Sequence, residues 1–235
     1  MAVNEAIILA GGKGTRLASM LPSIPKSMAP VNGKPFLSYV LDYLEKQQIS
    51  KVIISVGYLK EYIIKNIGDS YRKIKIQYSA EDSPLGTGGA IKAALANCKQ
   101  NEVFVLNGDT YFQPDLNEMQ LIHNQIKADI SIAVKWLEDT SRYGSINYDN
   151  EGRITSFTEK SSCLSSGYIN GGIYLINKKI IEDFEENVFS IENDFFKKEM
   201  QNYHINACFS KADFLDIGIP SDYIRAADLL KNNGL

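Results

Sequence analysis

The sequence predicts an α/β protein whose mainly parallel sheet is covered by helices on both faces. Two observations carry this. Up to Thr140, short runs rich in Ile and Val alternate with segments whose apolar residues recur every three or four positions. The runs are nearly continuous in apolar residues and bounded by turn formers, as strands buried on both faces are. Such strand–helix–strand repetition implies right-handed crossovers and therefore parallel neighbours.

The first strand is "EAIILA" (5–10), followed by the glycine-rich stretch "GGKGTR" (11–16). A helix is predicted over 34–48, where Pro35 suits the first position because its missing N–H costs a helix start nothing. Strand 51–56, helix 58–68, strand 75–78, helix 87–98 and strand 102–107 follow. Asp115 is placed to cap a helix over 115–128, and 129–136 reads as the next strand. Beyond Thr140 the pattern loosens. A hairpin is predicted around Asn150, Glu151 and Gly152, then a strand over 168–177 and a closing helix over 221–233. Phe36, Tyr39 and Tyr43 fall at helical spacing and are expected in the core, while Trp136 ends its strand with no role assigned. With no linker or repeat in sight, residues 1–235 are expected to form one domain.

Composition excludes several functions. The chain has 235 residues, 44% hydrophobic and 23% charged, with a net charge of −3, so no global basic field recruits nucleic acid. Cys98, Cys163 and Cys208 are scattered without a CxxC pair, which argues against both a disulfide framework and a zinc site. Reduced thiols, an N-terminus without a basic leader and the lack of a membrane-length apolar run point to the cytoplasm. The two histidines, His123 and His204, stand in unrelated surroundings, which disfavours histidine catalysis.

Ligands of open α/β sheets bind beyond the carboxyl ends of the strands, where residues 11–16 lie and where Asp109, read as ending the strand run "EVFVLNGD", is expected to point. Glycine amides approach phosphate closely, and Lys13 and Arg16 add charge. The stretch is not a P-loop, whose GxxxxGK[ST] spacing cannot be laid on it. Nor is it the dinucleotide fingerprint, whose third glycine would fall on Leu17.

"LAGGKGTRL" followed by "PK" at Lys26 resembles the sugar-1-phosphate nucleotidyltransferases. The likeness continues in order through "PLGTGGAI", "LNGDTYF", "RYGSI", "FTEK", "NGGIYLI" and "FLDIGIPSDY", nearly the whole chain. The resemblance implies a Rossmann-like, three-layer α/β/α domain with a mainly parallel mixed central sheet, the GT-A-like nucleotidyltransferase fold. It divides the chain into nucleotide binding mainly over 1–110 and sugar-phosphate binding mainly over 111–220.

The implied reaction joins a nucleoside triphosphate and a sugar 1-phosphate into a nucleotide sugar and pyrophosphate. A phosphate oxygen is the nucleophile and is largely ionised near neutrality, so no general base is needed. Charge neutralisation and in-line alignment are needed instead. The resemblance gives Arg16 and Lys26 the catalytic phosphate contacts. It gives Asp109 and Asp216 the magnesium ion, which takes few carboxylates and completes its shell with water and phosphate oxygens. Nucleotide binding falls to Leu9, Ala10, Gly11, Gly12, Lys13, Gly14, Thr15, Glu81, Pro84, Gly86, Thr87 and Gly88, with Thr87 also a candidate helix cap. Asn107, Gly108, Gly144, Glu159, Lys160, Asn170 and Gly171 are implied for the sugar phosphate.

Ser19 and Leu21 stand where many thymidylyltransferases of the family carry Pro and Thr. The stretch from Gly14 to Leu44 is closer to the D-glycero-α-D-manno-heptose 1-phosphate guanylyltransferases. No β-helix or acyltransferase repeat follows the last motif, so a stand-alone enzyme feeding surface polysaccharide synthesis is expected. Mannose 1-phosphate, glucose 1-phosphate and phosphocholine enzymes are the alternatives. A glycosyltransferase is disfavoured because no DxD occurs, and a non-catalytic sensor because Arg16, Lys26, Asp109 and Asp216 are all present. The expected partners are small molecules, without nucleic acid or membrane; homo-oligomer formation is left open.

Overall fold

A computed structural model describes residues 2–14, 16–17, 20–158 and 164–232. The first half follows the predicted alternation. Strand β1 (Glu5–Leu9) leads through a 3₁₀ turn (Lys26–Met28) and the small hairpin β2 (Pro30–Val31) and β3 (Lys34–Pro35) into helix α1 (Phe36–Lys46). Then come β4 (Lys51–Val56), α2 (Lys60–Ile67), β5 (Ser70–Tyr71), β6 (Ile74–Ala80), α3 (Gly86–Leu95) and β7 (Glu102–Asn107). The second half holds β8 (Thr110–Phe112), α4 (Leu116–Ile126), β9 (Ile130–Leu137) and the hairpin β10 (Ser145–Tyr148) and β11 (Ile154–Thr158). It ends with β12 (Gly167–Asn177), α5 (Lys178–Glu182), a π-helical turn (Ile191–Phe196), α6 (Lys197–Glu199), β13 (Ile205–Ser210), β14 (Phe214–Asp216) and α7 (Pro220–Asn232).

Eight strands form one sheet in the order β13-β9-β12-β7-β1-β4-β6-β5. Parallel pairing joins β7, β1, β4 and β6, and β13 with β9, whereas β12 runs antiparallel between β7 and β9. The chain starts at β1, builds outward to β6 and then returns to the other side of β1 with β7. That reversal opens a crevice past the carboxyl ends of β1 and β7.

The alternation of strand side chains divides the core. Ala6 and Ile8 pack with α1, α4 and α7, while Ile7 packs with α3, α5 and Phe195 and Phe196 of the π-turn. This is the three-layer arrangement expected. Phe36, Tyr39 and Tyr43 are buried as predicted, and the Asp115 carboxylate accepts from the Asn117 and Glu118 amides. Trp136 is half exposed and meets Tyr168 edge-on, 5.1 Å between ring centres. Among the described residues, no helix is long and apolar enough to cross a membrane.

Two local expectations differ. Helix α3 begins at Gly86, and Thr87 does not cap it. Its Oγ1 instead accepts from the Ile191 amide and donates to Glu192. Asp109 does not end a strand either; β7 stops at Asn107, and Asp109 sits in the turn before β8.

Candidate functional site

The crevice contains three adjoining cavities of about 250, 340 and 330 Å³. Drug-sized ligands usually occupy about 300–1,000 Å³, so a ligand with a base, phosphates and a sugar needs all three. Leu9, Gly12 and Asp109 line both the first and the second, and Asn107 and Glu192 line both the second and the third.

The first cavity is cationic at one wall and acidic at another. Leu9 to Gly14 leave β1 beside Arg16, and Lys26 rises from the 3₁₀ turn after Pro25. Gly14 has φ +59, in the left-handed region, and a Cβ built there would lie 2.8 Å from the Lys26 Cβ. The glycine therefore lets the loop lie against the lysine stem. Opposite stands Asp109, while β14 pairs antiparallel with β8 and sets Asp216 across from Thr110. Pairing across that sequence distance brings the two aspartates together. Nζ of Lys26 lies 2.6 Å from Oδ2 of Asp109 and 3.2 Å from Oδ1 of Asp216. The Gly218 amide donates to the same Asp216 oxygen at 2.7 Å, fixing its rotamer.

These carboxylates suit a hard cation. Both are partly exposed, with relative side-chain accessibilities of 36% and 25%, and they already converge on one positive group. Among the described residues no cluster of three or more His, Cys, Asp or Glu offers a fuller cage, so a metal here would draw further ligands from water and phosphate.

The second cavity is shaped for a flat ring. Leu9, Gly11, Pro84, Gly86 and Ala90 supply its apolar and backbone walls, and Glu81 its charge. Glu81 is held at both oxygens: Ser55 Oγ donates to Oε1 at 3.0 Å and the Leu85 amide to Oε2 at 3.1 Å. Each oxygen keeps a lone pair for a ligand.

The third cavity gathers three of the residues expected for the sugar phosphate. Asn107, Gly144 and Asn170 line it, joined by Tyr143, Ser145, Thr158, Tyr174, Glu192, Asn193 and Lys197. Burial pushes the Tyr174 hydroxyl well above its ordinary range; it accepts from Asn170 and faces Glu192. Burial and the nearby Asp216 push Tyr143 up to about 12, so it stays a neutral donor. Arg142 stacks its guanidinium over the Tyr143 ring and pairs with Asp222 of α7 at 2.5 Å, tying this loop to the last helix.

Other expected residues are placed differently. Gly88 is covered by the Phe189 ring, 2.1 Å from where its Cβ would be, and Gly171 faces Phe112 and the Ala133 carbonyl. Gly108 is packed on the Leu9 carbonyl. At these three positions a Cβ would run into the protein itself, so their smallness serves close packing. Lys13 is exposed on the loop. Thr15, Glu159 and Lys160 lie outside the described residues.

Glu192 and Asn193 of the π-turn and Lys197 at the start of α6 line the third cavity without belonging to any motif of the sequence. One signal was available: Ser190 accepts from the Asn193 amide while Asp194 accepts from the Ser190 amide, a reciprocal cap legible as Ser and Asp flanking the turn.

The sequence profile described as nucleotidyl transferase matches residues 5–233. The D-glycero-alpha-D-manno-heptose 1-phosphate guanylyltransferase of Campylobacter jejuni is 47% identical over 220 residues, 93% of this chain and 96% of that protein. Its counterpart from Aneurinibacillus thermoaerophilus is 44% identical over 229 residues, 97% of this chain and 99% of that one. The crystal structure of HddC from Yersinia pseudotuberculosis matches with a TM-score of 0.86 at 38% identity, over 97% of this chain and 100% of that chain. HddC complexed with GMP-PN gives a TM-score of 0.85 over the same shares.

Proposed function

The chain belongs to the nucleotidyl transferase family, and from that premise we propose that it transfers a guanylyl group from GTP to D-glycero-α-D-manno-heptose 1-phosphate, giving GDP-heptose and pyrophosphate. The observation that carries the chemistry is the meeting of Arg16, Lys26 and Asp109 in one cavity that adjoins a pocket suited to a flat ring, which in turn opens on a hydroxyl-rich one. The sugar follows from the relatives, whose likeness runs nearly end to end in both directions.

In this reading the sugar phosphate oxygen attacks the α-phosphorus of GTP. The bond from that phosphorus to the bridging oxygen breaks, and pyrophosphate leaves with the electron pair. Arg16 holds the triphosphate with its planar fork and takes up charge on the departing pyrophosphate. Lys26 neutralises the phosphates between nucleophile and leaving group. Asp109 and Asp216 would hold a magnesium ion, which when bound supplies further neutralisation of phosphate charge.

Glu81 favours guanine. The Watson–Crick edge of guanine presents adjacent N–H donors, which the two oxygens of a carboxylate can accept together. A pyrimidine dione presents a single N–H flanked by carbonyl oxygens there, so it can satisfy only one carboxylate oxygen and sets a carbonyl against the other. Asn107, Asn170 and Tyr143 face the sugar hydroxyls. Buried, unpaired Cys98 and Cys208 support a reducing, cytoplasmic setting. The product, an activated sugar, would be consumed by a glycosyl transfer step in surface polysaccharide assembly.

The test is magnesium-dependent pyrophosphate release, crossing the five common nucleoside triphosphates with heptose, mannose and glucose 1-phosphates. Release with GTP and heptose 1-phosphate, lost in Lys26→Ala and Asp109→Ala, is expected. Activity with a different pair would overturn the substrate, and activity retained in either variant would overturn the mechanism.

A further inference from the structure

We propose that Lys26 is the resident counter-ion of the Asp109–Asp216 pair, so that a divalent cation gains these carboxylates only when a triphosphate draws the lysine away. The inference rests on the function proposed above and adds an order to it: nucleotide and metal arrive together, and metal alone is turned away.

Lys26 is within hydrogen-bonding distance of both carboxylates at once, 2.6 and 3.2 Å. A single ammonium thus satisfies the pair and leaves the three groups with a net charge of −1 rather than −2. The lysine side chain is only 14% exposed, less than either partner, so the ion pairs are poorly screened. A divalent ion approaching from water must displace this ammonium as well as shed part of its own tightly held shell. Two carboxylates alone give it little to exchange for that.

The fold also provides the escape route. The lysine backbone is set in a 3₁₀ turn, and Gly14 lies so close that a side chain there would collide with the Lys26 Cβ, so the base of the side chain is confined. The head is not, since a four-carbon stem swings without moving the backbone. Lys26, Asp109, Gly12, Gly14 and Arg16 line the same cavity. Phosphate oxygens entering beside Arg16 therefore offer the ammonium a second set of anionic partners a short swing away. Once it moves, both aspartates are released with their full charge. No covalent bond changes; one cation exchanges its partners.

The experiment measures Mn²⁺ binding to the full chain by electron paramagnetic resonance of free Mn²⁺, at neutral pH and low salt. It compares wild type, Lys26→Met and the double variant Lys26→Met/Asp216→Asn, with and without a non-hydrolysable GTP analogue. Without nucleotide, Lys26→Met is expected to bind Mn²⁺ about tenfold or more tightly than wild type, because an opposing charge in contact is gone. The double variant should lose that gain. With the analogue, wild type should retain Mn²⁺ well beyond what the free analogue holds. Equal affinities for wild type and Lys26→Met without nucleotide would overturn the proposal, as would a gain that survives Asp216→Asn. Calorimetric titration of the analogue into wild type separates the underlying reading: if the analogue does not bind at all, the nucleotide site itself fails. Lys26→Gln, which keeps a polar head without the charge, replaces the Met variant should that chain not fold.

Discussion

A methyl group on Gly14 would stand 2.8 Å from the Cβ of Lys26, closer than carbon atoms approach without displacement. Gly14 also has φ +59, where a side chain costs about 1–2 kcal/mol. Gly14→Ala should therefore shift the lysine within a chain that still folds. Turnover is expected to fall on the order of 10- to 100-fold, the cost of misplacing a reacting group by about 1 Å. Steady-state pyrophosphate release, read beside the melting temperature, checks this; unchanged kcat would sink the idea that the loop sets the lysine.

Glu81→Gln exchanges one acceptor oxygen for a donor facing the base. A hydrogen bond to a charged group contributes about 1.5–3 kcal/mol, so kcat/KM for GTP should drop about 10- to 100-fold. The values for pyrimidine triphosphates should hold or rise. A uniform fall across all nucleotides would show that Glu81 only braces Ser55 and the Leu85 amide.

Gly88 lies under the ring of Phe189, with no room for a Cβ. Gly88→Ala should cost about 1–3 kcal/mol through overpacking. In a chain of this size that lowers the melting temperature by several degrees, at about 2–4 °C per kcal/mol. Adding Phe189→Leu should restore part of the loss in a calorimetric scan. No recovery would mean that the strain lies elsewhere, for instance at the helix backbone.

His123 is buried against Ser131, with Nδ1 2.9 Å from the hydroxyl oxygen. Burial lowers its pKa from 6.5 to about 4, with Asp129 opposing and His204 adding to the shift. The folded chain thus keeps the ring neutral, whereas the unfolded chain protonates it near 6.5. Its contribution is complete above 6.5 and is lost as pH falls toward 4, at most about 3 kcal/mol. In His123→Gln the acid slope of stability across that window should flatten, as followed by urea unfolding at a series of pH values. An identical slope would assign acid sensitivity to other groups.

Residues near each other in sequence were the legible ones. The strand and loop around Gly11 to Arg16, the helix after Pro35 and the cap at Asp115 all follow from local chemistry. The sheet was legible too, because fully apolar runs separated by helical spacing leave few topologies. What escaped depends on distant pairing. The β8–β14 ladder that sets Asp216 opposite Thr110 joins two three-residue strands, too short for any periodicity to register. The π-turn has a helix-like pattern broken by one extra residue per turn, so Glu192 could not be aimed at a cavity from spacing. Gly88 and Gly171 illustrate the converse: a glycine in a motif does not reveal whether it approaches a ligand or another side chain.

The insertion of β12 between β7 and β9 has a consequence for how the chain is made. Residues up to Asn107 can assemble β1, β4, β6 and β7 as they leave the ribosome, each crossover closing on the one before. The outer edge of β7 then waits for Ile173–Asn177, its antiparallel partner. During that interval a hydrophobic strand edge faces solvent, open to pairing with another nascent chain. Closing it requires a loop of more than sixty residues to return, so this step should govern the folding rate. Slower elongation or a chaperone acting between residues 107 and 177 would raise the yield of native protein more than the same help given earlier.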